Sequence, residues 1–150
     1  MRLWHKELLD VLPREQLISQ WRECCAIAKA IDENGTPNHI LVNKIIDYDL
    51  KHFICYTSLV CYELTQRGYR YNEKSFKKYL PLWSTYIKRN DLFADWHNER
   101  YLVQNYFNLQ EKYDCGGISQ EDWDKIDAKF KKMIENYPEY KEQFEGWWYG

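Results

Sequence analysis

A chain of 150 residues, 45% hydrophobic and 29% charged, predicts one globular domain over 1–150 and excludes a disordered or fibrous protein. No stretch approaches the roughly 20 apolar residues of a membrane-spanning helix, and Met1 to Leu9 lacks the basic-then-apolar pattern of a signal peptide, so a cytoplasmic protein without a membrane partner is expected. A net charge of −2 and a pI of about 6.1 remove the broadly basic surface of a simple nucleic-acid binder but leave room for a local basic patch.

The helical period dominates the chain. From Pro13 to about Ile31, apolar residues at Leu17, Trp21, Cys24, Ala28 and Ile31 advance in steps of four and three, one face of a helix. Pro13 suits a first helical position, and Asn34-Gly35 followed by Thr36-Pro37 marks the stop. His39 to Ile46 reads as a turn or two of helix. A longer helix from about Leu50 to Arg67 places Leu50, Phe53, Thr57, Val60, Cys61 and Leu64 on one face, with Gly68 where a C-cap belongs. Tyr69 to Asn72 reads as extended, Ser75 to Tyr79 as a short helix that Pro81 breaks. Leu92 to Lys112 reads as a helix with Trp96, Val103, Tyr106 and Leu109 inward, ended by Cys115-Gly116-Gly117. Ser119 and Asp122 resemble a capping box before a last helix whose inward stripe is Trp123, Ile126, Phe130 and Met133. The pattern predicts an all-α, single-domain helical bundle.

Five cysteines (Cys24, Cys25, Cys55, Cys61 and Cys115) contain no C-x-x-C pair, so they read as reduced and mostly buried rather than as a zinc site. His39, His52 and His97 are too scattered for a metal constellation. There is no phosphate-binding glycine loop, dinucleotide fingerprint or Gly-x-Ser-x-Gly elbow. Neither metal nor cofactor is expected.

The most suggestive pair is Arg22-Glu23. With Leu17 at the middle of the buried stripe, Glu23 lies about 120° to one side and Arg22 about 140° to the other. An α-amine has a reference pKa of about 7.7–8.0, so a useful fraction is neutral and nucleophilic at pH 7. Such an amine attacks a sugar C1′ and forms an imine, and a carboxylate such as Glu23 moves the protons. The sequence does not place Met1 beside Glu23.

At this point the residues resemble a family. Met1-Arg2-Leu3-Trp4, Leu17 with Trp21-Arg22-Glu23, Asn38-His39, and the run from His52 through Leu64 to Arg67-Gly68-Tyr69 are similar to the pyrimidine-dimer DNA glycosylases, the endonuclease V type of base-excision enzyme. The likeness covers roughly the first half of the chain. The tail Trp147-Trp148-Tyr149-Gly150 is similar in kind to the family's aromatic end. The resemblance implies a compact all-α fold without metal or cofactor, a nucleophilic amine at Met1 and a catalytic carboxylate at Glu23. It also implies that Arg2 and Arg22 hold phosphates or orient the sugar. His39 joins the candidate substrate-binding residues on the same likeness, and Trp21, Trp147 and Trp148 are candidates for stacking on a base.

The lead expectation is therefore a DNA N-glycosylase with AP-lyase activity on damaged DNA. Its basic face would draw on Arg2, Arg22, Lys44, Arg67, Arg70, Lys74, Lys77 and Lys78. The alternative keeps the scaffold and changes the ligand. An N-glycosidase cleaving a small nucleotide or cyclic dinucleotide, or a protein sequestering one, needs only one or two Arg and an aromatic wall. The acidic balance fits that as well.

Overall fold

The computed structural model describes residues 1–81 and 91–142, and every regular element in them is helical. Contacts divide the chain into two compact units, Met1–His97 and Asn98–Gly150.

In the first unit a short 3₁₀ segment, Lys6–Val11, opens where the His5 ring nitrogen Nδ1 accepts from the Glu7 N–H. Helix α1, Arg14–Asn34, follows Pro13, which stands at the N-cap rather than at the first helical position that the sequence suggests. The helix buries Leu17, Gln20, Trp21, Cys24, Ile27 and Ala28, and it stops at Gly35, whose φ of 74° lets its N–H reach back to Ile31 O at 2.8 Å. A second 3₁₀ segment, Asn43–Asp47, occupies the expected short helical run. Helix α2, Leu50–Gln66, starts at Asp49, whose side chain accepts from the Lys51 N–H. It ends in a Schellman closure: Gly68 at φ 74° donates to Thr65 O, and Tyr69 donates to Leu64 O. Residues 69–72 run without regular structure into the short helix α3, Lys74–Lys77. Helix α1 packs against α2 and α3, and its buried Gln20 and Trp21 meet Tyr56 and Phe76 there. Fully burying a Leu or Phe here contributes roughly 1.5–3 kcal/mol per side chain.

The second unit pairs two helices through their own contacts: α4, Glu99–Asp114, and α5, Gln120–Ile134. Helix α4 begins seven residues later than the spacing predicts. Leu92, Phe93 and Trp96 are buried, but in turns, with Phe93 at φ 46°, and the cap is Asn98, whose side chain accepts from the Tyr101 N–H. The inward residues of α4 are Leu102, Asn105, Tyr106 and Leu109. Val103 is half-buried because it lies about 100° round from Leu102. In α5, Ser119 caps Asp122 N–H as expected, and Trp123, Ile126, Phe130 and Ile134 are buried. Ile134 replaces Met133 because four residues beyond Phe130 falls about 40° from it, three residues about 60°, on the outer flank of the stripe.

Candidate active site

The first five residues precede any helix, so their backbone groups need partners from elsewhere. Helix α1 supplies them. Gln20, buried on the same side as Leu17, donates from Nε2 to Arg2 O at 3.0 Å and accepts the Trp4 N–H on Oε1 at 2.7 Å. From α2 the Tyr56 hydroxyl lies 2.5 Å from Trp4 O and 3.1 Å from Gln20 Oε1. Leu3, Trp4 and His5 are buried by this clamp. One turn further along α1, on the same helix edge as Gln20, stands Glu23. Its Oε2 accepts the Arg2 N–H at 3.1 Å, and its Oε1 lies 4.0 Å from the Met1 α-amine. Both side chains keep about a third of their surface open, 28% for Met1 and 31% for Glu23, so the pair is reachable from solvent. A primary amine and a carboxylate held side by side, with the carboxylate oriented by a backbone N–H, can attack an electrophilic carbon and relay the protons that the attack releases.

The family model for pyrimidine dimer DNA glycosylase matches residues 1–77, just over half of the chain. The chain belongs to that family. No curated protein and no solved structure gives a match. The matched segment holds Met1, Arg2, Trp4, Gln20, Glu23 and Tyr56, the residues of the arrangement above, so the glycosylase match and the site geometry fall on the same part of the chain.

The other candidates of this glycosylase-family chain distribute as follows. The Arg2 guanidinium lies 4.9 Å above the Trp4 ring. Arg22 is exposed on α1 next to Glu23. Trp21 is 7% exposed and packs its ring on Tyr71 (5.0 Å) and Phe76 (6.3 Å), so here it fills the core of the first unit. His39 is half-buried in the loop after α1, where its N–H donates to Asn43 Oδ1 and its Nδ1 accepts from the Leu41 N–H. Trp147 and Trp148 lie outside the described residues. Within the basic region, Lys44, Arg70, Lys74, Lys77 and Lys78 are exposed, with Lys77 paired to Glu73 at 2.7 Å. Arg67 is used differently. Its guanidinium donates to Leu12 O (2.6 Å), Asp10 O (3.1 Å) and Leu9 O (3.5 Å), closing the end of the first 3₁₀ segment, and to Glu63 Oε1 (2.8 Å).

Sequence reasoning did not single out Gln20 and Tyr56. A signal existed for the first: Gln20 stands about 60° from Leu17 on the helix wheel, inside the apolar face, where an amide needs buried partners. The five cysteines are free thiols. Burial pushes Cys25 up to about 11 and Cys61 up to about 12, and holds Cys24 well above the usual thiol range, so these thiols stay protonated near neutral pH. Among the described residues no group of three or more His, Cys, Asp or Glu side chains could hold a metal ion.

Proposed function

We propose that the chain is a base-excision enzyme, a DNA N-glycosylase with associated AP-lyase activity that uses the Met1 α-amine as nucleophile. The observation that carries this reading is the 4.0 Å approach of the amine to Glu23 Oε1, with the carboxylate turned by the Arg2 N–H. The neutral amine attacks C1′ of a nucleotide turned out of the helix, and the C1′–base bond breaks as the base leaves. The nitrogen loses its proton to Glu23, which returns one to the sugar ring oxygen as the ring opens to a Schiff base. Glu23 also stabilises the cationic sugar-like transition state by its charge. Loss of the C2′ proton then expels the 3′-phosphate, and water hydrolyses the imine to free the amine. Arg2 and Arg22, the chain neighbours of Met1 and Glu23, offer forked donors to the flanking phosphates. Lys74 and Lys78, exposed beside α1, add charge for the backbone.

Sodium borohydride trapping tests the reading. Protein beginning at Met1 is incubated with ultraviolet-irradiated duplex DNA, beside Glu23→Gln. The expected result is a covalent adduct mapped to Met1 and a loss of about 10²–10⁴-fold in turnover in the variant, with little change in melting. No adduct from a free Met1 amine, on irradiated or abasic DNA, discards the duplex-repair reading. An adduct formed only with small nucleotides moves the substrate to that class.

A further inference from the structure

We propose that Gln20 and Tyr56 are positioning residues for the Met1 α-amine: they set where the amine stands against Glu23 and keep a buried charge out of its surroundings. This rests on the amine chemistry proposed above. The amine's place is set by the backbone of Arg2 to Trp4, and Gln20 bonds that backbone at both ends, Arg2 O at 3.0 Å and Trp4 N–H at 2.7 Å. A carboxamide suits this, because it donates and accepts at once while remaining uncharged. The orientation of the amide is fixed too. The Tyr56 hydroxyl shares its proton between Trp4 O and Gln20 Oε1, so the Gln20 oxygen must face Tyr56 and Trp4, and its NH₂ must face Arg2. Gln20 is 1% exposed and Tyr56 0%, so neither can trade these bonds for water. Glu23 then completes the set from the same edge of α1, taking the Arg2 N–H.

Residue type makes the idea testable. An ionised carboxylate at position 20 still accepts from Trp4 but cannot donate to Arg2, and it adds negative charge against the backbone segment that carries the amine. That charge favours the ammonium form, which is not a nucleophile. Tyr56→Phe keeps the ring and removes only the hydroxyl.

Three measurements decide it. In single-turnover trapping with saturating abasic duplex, well below the melting temperature, Tyr56→Phe is expected to form imine about tenfold more slowly, with an unchanged half-saturating DNA concentration. In the same assay Gln20→Glu is expected to move the midpoint of the pH–rate profile up by about half to one pH unit, a shift that lost packing alone does not produce. Without DNA, reductive ¹³C-methylation of the α-amine followed by an NMR titration reports the same upward movement in Gln20→Glu. Wild-type rates in Tyr56→Phe, together with unmoved midpoints in Gln20→Glu, overturn the positioning role and leave the glycosylase reading intact if the wild-type protein traps DNA. If the wild-type protein fails to trap DNA while the methylated amine still responds to Gln20→Glu, the positioning role stands and the DNA reading falls.

Discussion

The two units are stabilised in different ways. In Met1–His97, hydrogen bonds from side chains tie together residues far apart in sequence: Gln20 to Trp4, Tyr56 to Trp4, His52 to Phe93, His97 to Lys6, and Arg67 to Leu12. In Asn98–Gly150, several described side-chain bonds stay within about one turn of helix, as in Asn105 to Tyr101, Lys131 to Asp127 and Gln120 to Asp124. Aromatic rings do the longer-range work there. Tyr106 stacks on Phe130 at 3.9 Å, and Tyr113 stacks on Trp123 at 5.2 Å. A longer side-chain bond there, from the Tyr106 hydroxyl to Asp127 Oδ1 at 2.7 Å, comes from the same stacked ring. Burying a polar group is unfavourable unless it is fully bonded, so a region that buries many of them is organised by bond geometry as well as by area. That is the region in which an amine must be held against a carboxylate.

The sharpest way to break this contrast is to remove one ring from the second unit. Phe130 is 0% exposed and stacked on Tyr106. Phe130→Ala is expected to cost about 3–5 kcal/mol, read by denaturant unfolding together with faster amide exchange in α4 and α5. A loss under about 1 kcal/mol would mean that rings are not what holds that pair of helices.

Much of the fold was legible because it obeys a local rule. Helices α1, α2 and α5 follow apolar steps of three and four, with stops or starts written in Gly35, Gly68 and Ser119. The start of α4 departs from the spacing for a physical reason. Leu92, Phe93 and Trp96 have helical spacing and are buried, yet Phe93 adopts φ 46°, a left-handed conformation that strains a bulky residue. It is held there by its N–H bond to His52 Nδ1 and by the rings of Tyr48, Trp96 and His97 around it. A local helical pattern carries no trace of His52 or Tyr48. The site divides the same way. Arg22-Glu23 stood out as a local pair, whereas the approach of Met1 to Glu23 depends on Gln20 and on Tyr56, 52 residues from Trp4. Arg67 counted as surface charge in the sequence because its carbonyl partners lie 55 residues away or more.

Arg67 gives the second test. Arg67→Met removes a charged donor from three carbonyls while keeping most of the stem, and it is expected to cost about 2 kcal/mol. The matched change in the other unit, Lys131→Met, removes a bond to Asp127 one helical turn away at 2.8 Å and is expected to cost no more than about 0.5 kcal/mol. Equal losses in thermal unfolding would erase the distinction between long-range and local bonding.

The smallest effect is a graded one, and it separates the units by chemistry. All four histidines lie in the first unit, and His5, His52 and His97 are buried. Each accepts a backbone N–H on Nδ1, from Glu7, Phe93 and Lys6 respectively, so each must leave that nitrogen unprotonated. Burial, then the neighbouring His5 and Lys6, holds His97 well below the usual imidazole range. Lys6 is itself lowered by burial, against the pull of Glu7 and Asp91. The sign follows from proton counting. About a unit or more above pH 6.5 His97 is neutral in both the folded and unfolded chain, and it contributes almost no pH dependence. As the pH falls below that, the unfolded chain takes up the proton first, so stability declines until the pH passes the lowered folded value. The slope is at most about 1.4 kcal/mol per pH unit for this one group. His97→Gln offers an amide oxygen to the Lys6 N–H and cannot titrate, so its stability is expected to change less than that of the wild-type protein between pH 7 and pH 5.5. Exchange-resolved unfolding should place the wild-type loss in residues 1–81 and 91–97. An equal acid-induced loss in α4 and α5, which have no histidine, would mean that the decline comes from carboxylates common to both units rather than from imidazoles that must stay neutral to hold the N-terminal segment.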